Sequence, residues 1–140
     1  MSNALSADLR ARYPGAEAVE FGDSRALSDR LIGLIRDGVK RATCCALAAY
    51  REDGDPLPVV VRRDVVLDWD SRPSLVIETT EVTLRRFCDV DADFALAEGE
   101  NDSLAGWRRG HRSFFERNGS FHPEMMLVCE RFRLIEDLKG

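Results

Sequence analysis

The sequence predicts an α+β fold: an antiparallel or mixed sheet, able to curl into a barrel, with helices packed on its outside. Three observations carry this expectation. Leu27, Leu31, Leu34 and Ile35 recur at helical spacing early in the chain. Three segments rich in β-branched residues, 59–61, 65–67 and 75–82, then follow one another across the middle. Finally, an aromatic helical stripe, Trp107 to Phe115, precedes a closing strand in which Phe132 and Leu134 alternate with Arg131 and Arg133.

Taken in order, residues 5–13 predict a short helix, stopped by Pro14-Gly15. Asp23-Ser24 offers a cap for the leucine-striped helix, and Gly38 stands where such a helix ends. The alanine- and cysteine-rich stretch 44–50 predicts a further short helix, and residues 52–58, with Gly54, Pro56 and Pro58, a loop. Asp70-Ser71-Arg72-Pro73 is a turn between two of the middle strands, the last of which can extend to Phe87. Residues 91–97 form a short helix leading into the acidic turn Glu98-Gly99-Glu100-Asn101-Asp102. The aromatic helix starts at Ser103 and ends at Asn118-Gly119, and the closing strand covers 125–135.

At 140 residues the chain suits one domain, long enough to bury a core without staples. A hydrophobic content of 44% and a charged content of 32% are those of a soluble globular protein. No apolar run approaches the roughly 20 residues needed to cross a bilayer. The first eight residues lack the basic-then-apolar order of a signal peptide, so the expected location is the cytoplasm. The formal net charge of -5 argues against a protein that grips long duplexes, though the pairs Arg62-Arg63, Arg85-Arg86 and Arg108-Arg109 leave room for a local anion-facing patch. The four cysteines, Cys44, Cys45, Cys88 and Cys129, contain no C-x-x-C pair, and only His111 and His122 could assist them. Reduced thiols, no metal and no cofactor are expected.

Two places can carry chemistry. Lys40 and Thr43 stand three residues apart just after a helix terminator, so both can lean to one side of a turn. A lysine whose ammonium pKa is lowered by burial can take a proton from a neighbouring hydroxyl; a solvated lysine beside a capping threonine is the ordinary alternative. The second place is the acidic turn. Asp102 or Ser103 can cap the following helix, which leaves Glu98 or Glu100 to act as an acid or base or to accept from an exocyclic amine. Trp107 and His111, one helical turn apart, either pack on the sheet or form a wall on which a base stacks.

Together these pieces resemble the ASCH domain family, related to the PUA-like RNA-binding fold. The resemblance runs from about residue 21 to 135. It is carried by Phe21-Gly22-Asp23, by Gly38-Val39-Lys40-Arg41-Ala42-Thr43 as a G-x-K-x-x-T signature, and by the strand 76–82. It continues through Ala97-Glu98-Gly99-Glu100, then Trp107 with His111, Phe114 and Phe115. The resemblance implies one domain with a core of about 20–136 after a short helical extension, folded as a small β-barrel flanked by helices, with a cleft at the lysine-threonine turn. One group of small bacterial members removes the acetyl group from N4-acetylcytidine with a lysine, a threonine and a glutamate, matched here by Lys40, Thr43 and Glu100. This chain is longer than those hydrolases, and its helix from Ser103 is more aromatic.

The resulting expectation is an amidohydrolase acting on an acylated nucleobase. Neutral Lys40 would accept the Thr43 proton, Glu100 would protonate the departing amine, and Glu98, Arg41, Trp107 and His111 would bind the ligand. On this expectation Lys40→Met removes activity and leaves the fold intact. The alternative is a binding module that holds a modified nucleotide or single-stranded RNA, with Lys40 on phosphate and aromatic rings stacking. A ribonuclease is intermediate and needs a histidine or second general acid near Lys40. A scaffold for a protein partner has no sequence feature in its favour.

Overall fold

The computed structural model describes residues 5–139; residues 1–4, half of the stretch read for a signal peptide, and residue 140 lie outside it. Along the chain run α1 (Ala7–Arg12), β1 (Glu17–Glu20), α2 (Arg25–Arg36), β2 (Ala42–Ala46), α3 (Leu47–Asp53), β3 (Arg63–Leu67) and β4 (Pro73–Arg86). A 3-10 turn (Phe87–Asp89), α4 (Ala92–Ala97), α5 (Leu104–Arg117) and β5 (Met126–Asp137) complete the fold.

The strands form one sheet in the order β1-β3-β4-β5-β2, with β1 parallel to β3 and every other pairing antiparallel. This is the expected α+β architecture, a mixed sheet curled into a half-barrel with helices against it. The long β4–β5 pair makes the curl. Its register shifts between Val76 and Ile77 and again between Thr79 and Glu81, where Thr80 is skipped. Such bulges bend and twist a ladder locally. The bend separates two packing zones. Around β3 and the first half of β4, α1 packs Leu9 onto Val65, Leu67 and Val76. There α2 packs Leu31, Ile32 and Ile35 onto Val66, Leu75 and Ile77. Beyond the bend, α4 and α5 set Phe94, Trp107 and Phe115 against Ala42, Ala46, Leu127 and Cys129.

Local signals formed the helices as expected. Ser24 caps α2 by accepting from Leu27 N at 3.2 Å, and Ser103 caps α5 by accepting from Gly106 N at 3.0 Å. Two expectations are corrected, and one strand was missed. The stretch 44–50 is not one helix: Ala42 to Ala46 pair with Arg131 to Leu127 as β2, and α3 starts only at Leu47. Alanine prefers helices, but an unpaired β5 edge beside a core crowded with aromatic rings favours a strand of small residues. The valines 59–61 are not a strand. They are exposed, Val61 has φ 66°, and the chain is pinned there by Val61 N→Thr79 O and Thr79 N→Arg62 O. Finally, β1 was not foreseen, since four residues give too short an alternation to read.

Candidate functional site

The site begins where α2 stops. Gly38 adopts φ +76°, and both Val39 N and Lys40 N donate to Leu34 O, at 2.9 and 3.0 Å. This closure turns the chain inward and leaves Lys40 only 2% exposed. The acidic turn is clasped to the same backbone. Arg41 N donates to Ala97 O at 2.7 Å, and Gly99, at φ +77°, lies so close that a Cβ there would stand 2.6 Å from Val39 O and 2.8 Å from Lys40 Cα. Only glycine satisfies both the positive φ and that approach. The glutamates on either side of Gly99 therefore both reach Lys40.

The Lys40 ammonium donates to Ala42 O at 2.8 Å, Glu98 O at 3.3 Å, Glu98 Oε1 at 3.2 Å and Glu100 Oε2 at 2.9 Å. Glu98 also receives the Trp107 indole N–H at 3.0 Å on Oε2, and His111 Nε2 lies 3.3 Å from its Oε1. The other ring nitrogen of His111 is 3.0 Å from Trp107 O. A carbonyl can only accept, so Nδ1 carries a proton, and a carboxylate at Nε2 favours the second one. Two cations thus face two carboxylates.

Burial opposes each of these charges, and the partners outweigh it. For Lys40, desolvation lowers the pKa, but Glu98 and Glu100 together raise it above the ordinary lysine value. For Glu98, desolvation pushes upward, yet Lys40 and His111 hold the carboxyl down at about 2. For His111, burial pushes downward while the hydrogen bond and charge of Glu98 raise the net value. A raised histidine pKa adds stability that is complete below its unfolded value, near 6.5, and is lost as pH rises through the folded value. The urea midpoint should therefore fall as pH is raised from 6 to 9, and His111→Gln should flatten that fall. An unchanged slope in the variant would exclude His111 as its source. Glu98 acts in the opposite direction. Its contribution is present above about 4.5 and is lost only as pH drops toward 2.

The structure brings Lys40, Glu98, Glu100, Trp107 and His111 together, and of the two glutamates Glu100 is the outward one. Its side chain is 17% exposed against 1% for Glu98. Among the described residues its second oxygen receives no protein donor. Thr43 is not a partner of Lys40. It pairs with Glu130 in the β2–β5 ladder, and strand alternation directs it away from the face that carries Ala42 and Cys44. The expectation of a neutral lysine is also corrected, because two carboxylates keep the ammonium charged. Trp107 is not a stacking wall: it is 0% exposed, with Phe87 at 5.3 Å and His111 stacked at 4.2 Å between centroids. Arg41 lies outside the cluster, on the surface beside it.

Sequence reasoning missed Cys44. Its thiol joins Glu98 and His111 in a trio whose ligand atoms lie within 4.8 Å of one another, the spacing a metal ion would need. Burial and the Glu98 charge push that thiol well above its ordinary pKa. An ammonium already fixed on the same carboxylate opposes a second cation there. Strand alternation would have revealed Cys44 had β2 been recognised.

The ASCH domain model matches residues 17–136. The chain belongs to the ASCH domain family. An ASCH domain from Lactobacillus crispatus JV V101 is 35% identical, with a TM-score of 0.80 over 93% of this chain and 86% of that one. Protein EF3133 from Enterococcus faecalis V583 is 34% identical, with a TM-score of 0.78 over 86% of this chain and 76% of that one. Hypothetical protein PH0355 shares the fold at 11% identity, with a TM-score of 0.55 over 86% of this chain and 97% of that one. No curated protein matches the sequence. The protein is thus an ASCH domain, a PUA-like RNA-binding fold, and among its described residues no helix is long and apolar enough to cross a membrane.

Proposed function

We propose that this ASCH domain reads a nucleobase carrying an exocyclic amine, in a modified nucleoside or single-stranded RNA. Glu100 accepts from the amine, and Lys40 is the ammonium that holds Glu100 in place. One observation supports this reading above the others: a fully buried lysine bound to two carboxylates, one of which reaches the surface with an oxygen that no group among the described residues serves. Taking ions out of water costs several kcal/mol each, and an apolar filling of similar volume is often as stable. A cluster retained at that cost, with shifted titrations and one open acceptor, has the character of a ligand site.

The direct Lys40–Glu100 contact at 2.9 Å favours a second reading, removal of an acyl group from such an amine, for example from N4-acetylcytidine. The roles then differ from the lysine–threonine scheme. Glu100 takes a proton from the water that attacks the acyl carbon and passes it to the departing amine as the carbon–nitrogen bond breaks, and the Lys40 ammonium holds Glu100 in place. Ribonuclease chemistry has less support, because both ring nitrogens of His111 are turned to acceptors inside the protein.

The test is incubation with N4-acetylcytidine, following acetyl loss beside Glu100→Gln. That variant is preferred to Lys40 changes because Glu100 reaches the surface. Turnover that falls about 100- to 10,000-fold in the variant supports hydrolysis. Absent turnover with cytidine binding lost in Glu100→Gln supports base reading alone. Cytidine binding that is equal in both proteins, without turnover in either, would remove Glu100 from the site.

A further inference from the structure

We propose that the cleft beside the acidic turn is a phosphate subsite with Arg41 as its cation, so that the ligand is an RNA strand rather than a free nucleoside. This rests on the base-reading role proposed for Glu100. The cleft has a volume of about 430 Å³ and is lined by Arg41, Thr80, Asp93, Leu96, Arg131 and Phe132. It adjoins the ion cluster directly: Arg41 follows Lys40 in the chain, and the Arg41 N→Ala97 O bond joins its wall to the residue before Glu98.

Its charges are unequally committed. Arg131 is held by Asp93 at 2.7 Å and by Glu81 at 3.7 Å. Lys40, the neighbouring cation in the chain, is buried and bound to two glutamates. Arg41 is exposed, and among the described residues its guanidinium has no hydrogen-bond or ion-pair partner. Thr80 is the residue skipped by the β4–β5 register, and it is exposed at the cleft. Leu96, 46% exposed, supplies apolar surface. A free guanidinium, an exposed threonine and an apolar wall match a phosphodiester with its attached sugar or base. The guanidinium fork suits phosphate oxygens, and charge assistance makes such bonds about twice as strong as neutral ones. The phosphate role expected for Lys40 thereby passes to its neighbour. Lys40 lacks an open donor for it, whereas the Arg41 side chain leads outward.

The experiment compares cytidine with a short single-stranded oligocytidylate, by calorimetry across a salt series, for wild type, Arg41→Ala, Arg41→Lys and Glu100→Gln. Wild type should bind the oligonucleotide more tightly than cytidine. In Arg41→Ala that advantage should shrink about tenfold, and the log–log salt slope should fall by about one unit, as for one lost phosphate contact. Arg41→Lys should keep the slope and recover part of the affinity. Glu100→Gln should weaken cytidine itself and so reports on the base site separately. An oligonucleotide advantage and salt slope unaltered in Arg41→Ala would overturn the proposal, as would wild type that binds cytidine and the oligonucleotide equally. Wild type that binds neither overturns the subsite together with the reading beneath it. Among the described residues Arg41 has no side-chain partner, so its variants should fold, which far-UV circular dichroism checks.

Discussion

Lys40→Met is expected to destabilise the domain by about 3–5 kcal/mol, the range for removing one member of a buried ion pair. In a chain of this size that lowers the melting temperature by about 10–20 °C. The reason lies in what stays behind. Glu98, with 1% of its side chain exposed, would keep the Trp107 indole, His111 and the weakly donating Cys44 thiol, and Ala42 O and Glu98 O would each lose the lysine. A buried carboxylate without its main cation either stays charged in a low dielectric or takes up a proton, and both outcomes reduce stability. Lys40→Met/Glu98→Gln should regain part of the loss, since the second change removes the stranded charge. Chemical denaturation of the three proteins measures this. If Lys40→Met stays within about 1 kcal/mol of wild type, the lysine is not a structural ammonium, and the view of it as a removable catalytic group is restored.

Gly99→Ala should cost about 2–5 kcal/mol. A left-handed conformation costs a residue with a Cβ about 1–2 kcal/mol, and overpacking adds about 1–3. The atoms in the way, Val39 O at 2.6 Å and Lys40 Cα at 2.8 Å, are backbone and cannot swing aside as a side chain would. The turn must therefore move off the 39–41 segment, carrying Glu98 and Glu100 away from Lys40. Gly119→Ala is the control: it has φ +74° but nothing within 4 Å of an added Cβ, so only the conformational part remains. Urea midpoints for both variants, beside cytidine affinity, separate the two effects. Equal losses at the two glycines would show that the close approach at Gly99 adds nothing.

These predictions rest on a part of the protein only half legible beforehand. The lysine of G-x-K-x-x-T, then A-E-G-E, then tryptophan and histidine one turn apart, marked residues that meet at the site, because motif spacing is a property of the chain. The helices α2 and α5 were readable for a similar reason. Their stripes and their caps, Ser24 and Ser103, are set within a few residues of sequence. The direction in which each side chain points was not readable. A lysine between Val39 and Arg41 looks solvated, yet Gly38 and Gly99 draw its backbone under the acidic turn.

Strand and helix were confused where long-range pairing decides. Residues 44–46 read locally as the start of a helix, and β5, more than eighty residues later, makes them part of a strand. That change of element also explains Thr43, which sits on one side of β2 while Cys44 faces the buried carboxylate. By contrast, the valines 59–61 have strand composition but are not strand, because the chain crosses to Thr79 there through a turn.

The sequence by itself therefore determined the family, the fold class, the principal helices and most of the polar residues that converge, since periodicity, caps and motif order are local and chemical. The tertiary structure decided which of those residues are buried and paired, and which one opens to the surface. Those outcomes depend on α4 and α5 packing over β2 and β5, where desolvation and opposing charge act between residues about sixty positions apart in the chain.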